Sequence, residues 1–330
     1  MKGFTAVVLS GGGAKGAFEL GALDYLVREA NVDPDVLTGV STGALNAAAL
    51  AQGKGRAGLL EQLDILTGVW MGLKSDKDIY KRRLLGIFGP LFKADSIYNN
   101  KPAWKLIKTH ISRYKLVDSQ RQLRIGVAEL GSGRFVSFNG CDPDILEAIR
   151  ASVSIPVLFE PVKICGKRCV DGGVINVTPL KMAFRALAEF DRPTRSRDTI
   201  YVILASPPAL ERTKDLNSGI SIAKRTLSML VNEVYRTDLT HALAINEVIG
   251  REEVLRRITG EEIDSLFPDY RYANVVLIRP AVSYLESLTF DPKKIRLAFS
   301  RGRVAAKRAV VDAAGTGTNI TRETLTNWGV

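Results

Sequence analysis

Short, nearly continuous apolar runs alternate along this chain with longer stretches in which apolar residues recur every three or four positions. The runs Phe4–Ser10, Leu123–Ala128, Arg134–Phe138, Thr199–Ala205 and Ala273–Ile278 predict strands, the second and third joined at Gly131-Ser132-Gly133. Helical spacing predicts helices over Ala17–Glu29, Ala44–Leu50, Gly55–Trp70, Lys101–Ile111, Asp144–Ala151, Pro179–Phe190, Ser218–Ile249 and Pro292–Asp312. Strands without a polar face are those buried on both sides, so the pattern predicts an α/β fold whose mostly parallel central sheet is flanked by helices. No repeat or linker divides the chain. Residues 1–312 are expected to form one domain, 52–120 being a candidate lid or cap insertion, with a mobile tail over 313–330.

Two stretches break the periodicity with glycine. The first strand runs into Gly11-Gly12-Gly13-Ala14-Lys15-Gly16 and then a helix, an order that exposes backbone amides at a helix N-terminus, ready to hold an anion. Gly11, Gly13 and Gly16 fit the dinucleotide pattern G-x-G-x-x-G, but Val40 and Ser41 stand where a ribose-binding acid belongs. A P-loop fails too, since Ala17-Phe18 follows Gly16. An oxyanion hole, needing close backbone approach and a nearby cation, is met by the glycines and Lys15. The second stretch, Gly39-Val40-Ser41-Thr42-Gly43, sits between apolar Val36-Leu37 and the helix former run Ala44–Leu50, the arrangement of a nucleophile elbow.

Composition refines this picture in three places. Over 330 residues the formal charge is +11, which suits contact with an anionic surface such as phospholipid. Three cysteines give no disulfide framework, and Cys165-Gly166-Lys167-Arg168-Cys169 reads as a hairpin turn without the further ligands zinc would need. Met1-Lys2-Gly3 leads straight into a strand, and no apolar run reaches the roughly 20 residues that span a bilayer, so a cytoplasmic location is expected, peripheral to a membrane at most, with secretion lacking a cleaved signal left open. The apolar segment Lys81–Lys93, with cations at both ends, is either a lipid-touching lid or a loop packed across the domain.

The glycine loop, the Gly-x-Ser-x-Gly elbow, the segment Ala151–Val162 and Asp171-Gly172-Gly173 together resemble the patatin-like phospholipase family, in that family's order and over roughly residues 4 to 180. The resemblance implies a three-layer α/β sandwich. It further implies Ser41 as nucleophile, Asp171 completing a two-residue site without histidine, and an oxyanion hole in Gly11, Gly12, Gly13, Lys15 and Gly16. Gly39, Gly43, Gly172 and Gly173 would support the elbow and the aspartate. Lys15 departs from the arginine often found there, replacing a planar fork with a point charge. The implied substrate is a phospholipid or lysophospholipid, with no cofactor, no metal and no nucleic acid.

Two other classes compete. One is a catalytically silent lipid-binding or regulatory protein, against which the joint presence of loop, serine and aspartate argues; the other is the dinucleotide-binding oxidoreductase weakened above. A Ser41–Asp171–His241 triad is also conceivable by order, but His241 falls inside a long helical stretch and His110 precedes the aspartate. The dyad is preferred.

Overall fold

The computed structural model describes residues 3–83, 96–190, 197–207, 217, 219–261 and 264–320. Most of the segment Lys81–Lys93 and the end of the tail, from residue 321, lie outside these residues. In order, the chain forms strand β1 (Thr5–Leu9), helix α1 (Gly16–Arg28), β2 (Val36–Val40), α2 (Thr42–Ala51), α3 (Gly55–Gly72), the two-residue pair β3 (Lys81–Arg82) and β4 (Tyr98–Asn99), α4 (Lys101–His110) and α5 (Arg113–Val117). There follow β5 (Gln122–Glu129), β6 (Arg134–Asn139), α6 (Ile145–Ser152), β7 (Val162–Ile164), β8 (Lys167–Asp171), α7 (Leu180–Ala188), β9 (Asp198–Ile203), α8 (Gly219–Thr259), β10 (Ala273–Ile278) and α9 (Pro292–Ala313).

Eight strands make one sheet in the order β10-β9-β1-β2-β5-β8-β7, with β6 also on β5. The five strands from β10 to β5 are mutually parallel, and β6, β7 and β8 add antiparallel pairings at one end. Residue parity divides the core as the pleat requires. Val7, Leu9, Leu37, Leu123, Ile125, Val276 and Ile278 face a layer containing α1, α2, α3 and α9. Ala6, Val8, Val36, Ile200, Val202, Val275 and Leu277 face α7 and α8. The expected three layers are therefore present, and each parallel strand is apolar throughout because both of its faces are covered.

One detail of register fixes the site. Gly126 of β5 pairs with Val40 and with Ser137, whereas the next residue, Val127, pairs with Asp171 and with Val136. Since β6 occupies one edge of β5 along this whole stretch, β2 and β8 must share the other. They run toward each other and meet end to end, so the residue after β2, Ser41, and the last residue of β8, Asp171, arrive side by side.

Boundaries shift modestly from expectation. The long helix runs ten residues past the predicted Ile249, to Thr259, because apolar spacing weakens there while helix formers such as Glu and Arg continue. The Cys165 hairpin is real: β7 and β8 pair across Cys165-Gly166, both at positive φ (47° and 78°), as a tight two-residue turn demands. On α9, Ile295, Ala298, Gly302, Ala306 and Ala309 are buried, and Arg303 pairs with Asp24 and Glu29 of the α1 region. Lys293, Lys294, Arg296, Lys307 and Arg308, on the outer face of this helix, are exposed. Part of the tail, as far as Ile320, lies against the edge of the sheet. The Asn319 side chain accepts from Leu277 N (2.7 Å) and donates to Leu277 O (2.9 Å), acting as a short extra strand on the edge of β10, and Ile320 is buried beside it. No helix among the described residues is long and apolar enough to cross a membrane.

Candidate active site

Ser41 is the residue between β2 and α2, and its backbone is strained: φ 56°, ψ −129°, in a region L residues rarely occupy. Holding such a conformation costs on the order of 1–3 kcal/mol and requires the surroundings to fix it. Ser152, at the end of α6, does much of this. Its hydroxyl accepts from Ser41 N at 2.8 Å and donates to Gly126 O at 2.8 Å, bolting the elbow to β5. The first turn of α2 also crosses close over the end of β1. A Cβ on Gly43 would lie 2.5 Å from Ser10 O and 2.6 Å from Leu9 C, so only glycine allows this approach.

Asp171 is 4% exposed. Its carboxylate accepts from Gly173 N at 2.8 Å and lies close to the Ser41 hydroxyl. Ser154 O in turn accepts from the Asp171 amide at 3.0 Å, so the Ala151–Val162 segment supports both halves of the pair. Burial pushes the Asp171 carboxyl up to about 7, the nearby Ser41 hydroxyl and the Gly173 amide opposing the rise. That places a carboxylate base near neutrality, where a general base works best.

The glycine loop lies against this pair. A Cβ on Gly11 would stand 3.0 Å from Ser41 Cβ. Gly13 has φ 58°, and its carbonyl accepts from the Thr42 hydroxyl at 2.8 Å. The loop's expected roles divide on inspection. The Gly11 amide already donates to Val177 O at 3.2 Å, so it is not free for an anion. Among the described residues no acceptor meets the amides of Gly12 and Gly13, which narrows the candidate donors to these two. Lys15 turns its ammonium to the Ser206 hydroxyl at 3.0 Å, tying the loop to the segment after β9. Gly16 starts α1 and packs against Thr42 and Trp70, where a Cβ would overlap the threonine methyl. Gly39 packs under the first turn of α2 and Gly172 against Gly126.

Both histidines are exposed, and neither is a partner of Asp171. A cavity opens over Ser41, Thr42 and Gly13 and runs between α3, α4 and the loop before α9. It encloses about 1070 Å³ counting its open mouth, and Leu66, Trp70, Ile107, Phe159 and Phe290 make its wall almost wholly apolar. The candidate lid region thus contributes the cavity's sides through α3 and α4.

Several residues of the site carry no sequence signal of their own. Ser152 lay within a segment already marked by resemblance, but Tyr235 and Asp238 on α8 and Glu19 on α1 read as ordinary helix positions.

The fold is an α/β sandwich, and it sets a serine and a buried aspartate side by side at the ends of its central strands. A family model described as Patatin-like phospholipase matches residues 7–184, more than half of the chain, and the chain belongs to that family. Among solved structures it is similar to VipD from Legionella pneumophila (13% identity, 94% of this chain and 67% of that one, TM-score 0.43). It is also similar to the type III effector protein ExoU (15%, 94% and 53%, 0.38) and to the heterodimeric ExoU–SpcU complex of the Pseudomonas aeruginosa type III secretion system (17%, 99% and 72%, 0.32). The chain spans about half the length of that ExoU chain.

Proposed function

We propose that this protein is a serine acyl hydrolase that cleaves fatty acyl esters of phospholipids or lysophospholipids through a Ser41–Asp171 dyad. The observation that carries the reading is the buried Asp171 carboxylate set beside Ser41, with Ser41 lining an apolar cavity. The acyl chain lies in the cavity, and its carbonyl carbon comes to Ser41 Oγ. Asp171 takes the hydroxyl proton as Oγ attacks, and the carbonyl oxygen becomes an anion facing the Gly12 and Gly13 amides and the N-terminus of α2. Collapse of this intermediate expels the alcohol, which leaves with the proton from Asp171. Water then attacks the acyl-serine by the same route in reverse, giving the fatty acid. The formal charge of +11 suits a substrate presented on an anionic surface.

Labelling with a serine-directed fluorophosphonate tests the class. The wild type is expected to take the label and Ser41→Ala to lose it. A folded wild type that stays unlabelled would instead favour the lipid-binding or regulatory reading, in which cavity and elbow bind without reacting.

The acidity of Asp171 sets a further expectation. Only the ionised carboxylate can accept the serine proton, so kcat/KM for a neutral ester should climb about tenfold per pH unit up to about 7 and level above it. A profile flat between pH 5 and 9 would remove Asp171 from the role of base.

A further inference from the structure

Beneath the glycine loop runs a buried chain of polar groups that ends on the loop's own backbone. Tyr235 of α8 is 2% exposed, and its hydroxyl donates to Gly11 O at 2.8 Å. The Tyr235 hydroxyl oxygen also lies 2.6 Å from Ser10 Oγ, which accepts from Ala205 N at 2.8 Å and sits 3.3 Å from Glu19 Oε1. Glu19 is wholly buried, and its other oxygen accepts from Asn46 Nδ2 at 3.1 Å. Asn46 accepts in turn from Trp70 Nε1 at 3.0 Å.

Counting hydrogens gives this chain a direction. Tyr235 has one, and it goes to Gly11. Ser10 also has one, which must therefore make the 2.6 Å contact with Tyr235. The contact between Ser10 and Glu19 then closes only with a proton supplied by Glu19 as a carboxylic acid. Burial does push the Glu19 carboxyl well above the usual range, against the opposing hydrogen bond of Asn46. Every member is then satisfied, which is what a buried polar chain requires.

One turn further along α8, Asp238 accepts from the amides of Val177 (2.8 Å) and Thr178 (3.2 Å). Val177 O is the acceptor for the Gly11 amide. Helix α8 therefore grips Gly11 on both sides, directly at its carbonyl and through Val177 at its amide. All of α8 lies beyond the residues matched by the family model.

We propose that Tyr235, assisted by Asp238, is a positioning residue that sets the oxyanion hole by fixing the plane of the Gly11–Gly12 peptide. The Gly11–Gly12 peptide is trans, like every peptide bond among the described residues, and in a trans peptide the carbonyl and the following N–H point in opposite directions. Drawing the Gly11 carbonyl down onto Tyr235 turns the Gly12 N–H up, to the side where Gly11 abuts Ser41 and Gly13 lines the cavity. Without the phenol, the carbonyl loses its buried donor, and the peptide is free to rotate and take the Gly12 N–H out of the site. The inference rests on the hydrolase reading above.

The test compares wild type, Tyr235→Phe and Leu239→Ala on a soluble short-chain p-nitrophenyl ester, with active sites titrated by fluorophosphonate. Leu239 is buried on the same helix among the apolar side chains of the α7–α8 layer, so its truncation destabilises the protein without touching the polar chain. Tyr235→Phe is expected to lower kcat roughly 10- to 100-fold, a misaimed donor costing somewhat less than a deleted one. Its KM should stay within about twofold, its phosphonylation rate should fall in parallel, and Leu239→Ala should keep kcat. Should Tyr235→Phe fail to fold, Asp238→Ala, which removes the acceptor of the Val177 and Thr178 amides, carries the same test through Val177, with a loss in kcat at constant KM. A folded Tyr235→Phe with unchanged kcat, or an equal loss in Leu239→Ala, overturns the inference and leaves the hydrolase reading standing. A wild type without label at Ser41 overturns both.

Discussion

Asp171→Asn should lose ester hydrolysis by about 10⁴-fold and, at the same time, become more stable than the wild type above neutral pH. The first effect follows from chemistry. A serine hydroxyl needs a base within hydrogen-bond reach, and asparagine keeps the shape of the site without the ability to take a proton. Losses on the order of 10⁴ are typical when one member of such a unit is disabled. His241→Ala, which changes an exposed position on α8, should retain most activity. Loss of activity in His241→Ala with survival of Asp171→Asn would overturn the dyad.

The stability effect follows from linkage. Burial raises the folded-state pKa of Asp171 from 3.8 to about 7. Below about pH 4 both folded and unfolded chains are protonated there, and the residue carries no penalty. Between about 4 and 7 the unfolded chain releases its proton while the folded one holds it, so stability falls as pH rises. Above about 7 the penalty is complete, on the order of 2–4 kcal/mol. Asparagine removes it. The gain in Tm of Asp171→Asn over wild type should therefore grow from near zero at pH 4 to its maximum at pH 8, and a constant difference across that range would contradict the buried-carboxylate account.

The second large effect is expected at Gly13. This residue has φ 58°, where an L side chain costs roughly 1–2 kcal/mol. A Cβ there would also lie 2.9 Å from Ser287 C and 3.2 Å from Ser287 Cα, backbone atoms that cannot step aside cheaply. Ser287 O accepts from the Ala14 amide at 2.8 Å, so the loop and the segment before α9 would have to part. In Gly13→Ala the Gly13 N–H leaves its position, and losing one oxyanion donor typically costs 10²–10³ in kcat. A fall in kcat of about 10²-fold or more is expected, with a lowered Tm. Retained kcat would remove the loop from transition-state stabilisation.

How much of this was legible in the sequence depended on how each residue is held. Ser41 and Asp171 announce themselves because the close packing around them puts glycines beside them, at Gly39, Gly43, Gly172 and Gly173, and clustered glycines leave a visible pattern. The strands were legible because burial on both faces leaves continuous apolar runs. Tyr235 left no such mark. A tyrosine at helical spacing looks like core, and its partner Gly11 lies 224 residues away, in contact only after the sheet is assembled. Glu19 was hidden by the opposite effect, an acid on a helix that reads as a solvated position until α1 is found buried. The division of labour within the glycine loop was illegible too, since whether Gly11 or Gly12 has a free amide depends on where Val177 comes to rest.

The head-to-head meeting of β2 and β8 on one edge of β5 has a mechanical consequence. Serine and aspartate are referenced to adjacent residues of a single strand, Gly126 and Val127, so a change in sheet twist or a sliding of the helical layers carries both together. The cavity wall, built from α3, α4 and the loop before α9, has no such common anchor. Breathing of that wall to admit or release a lipid chain would change the room above the dyad while leaving the proton's path from Ser41 to Asp171 the same length.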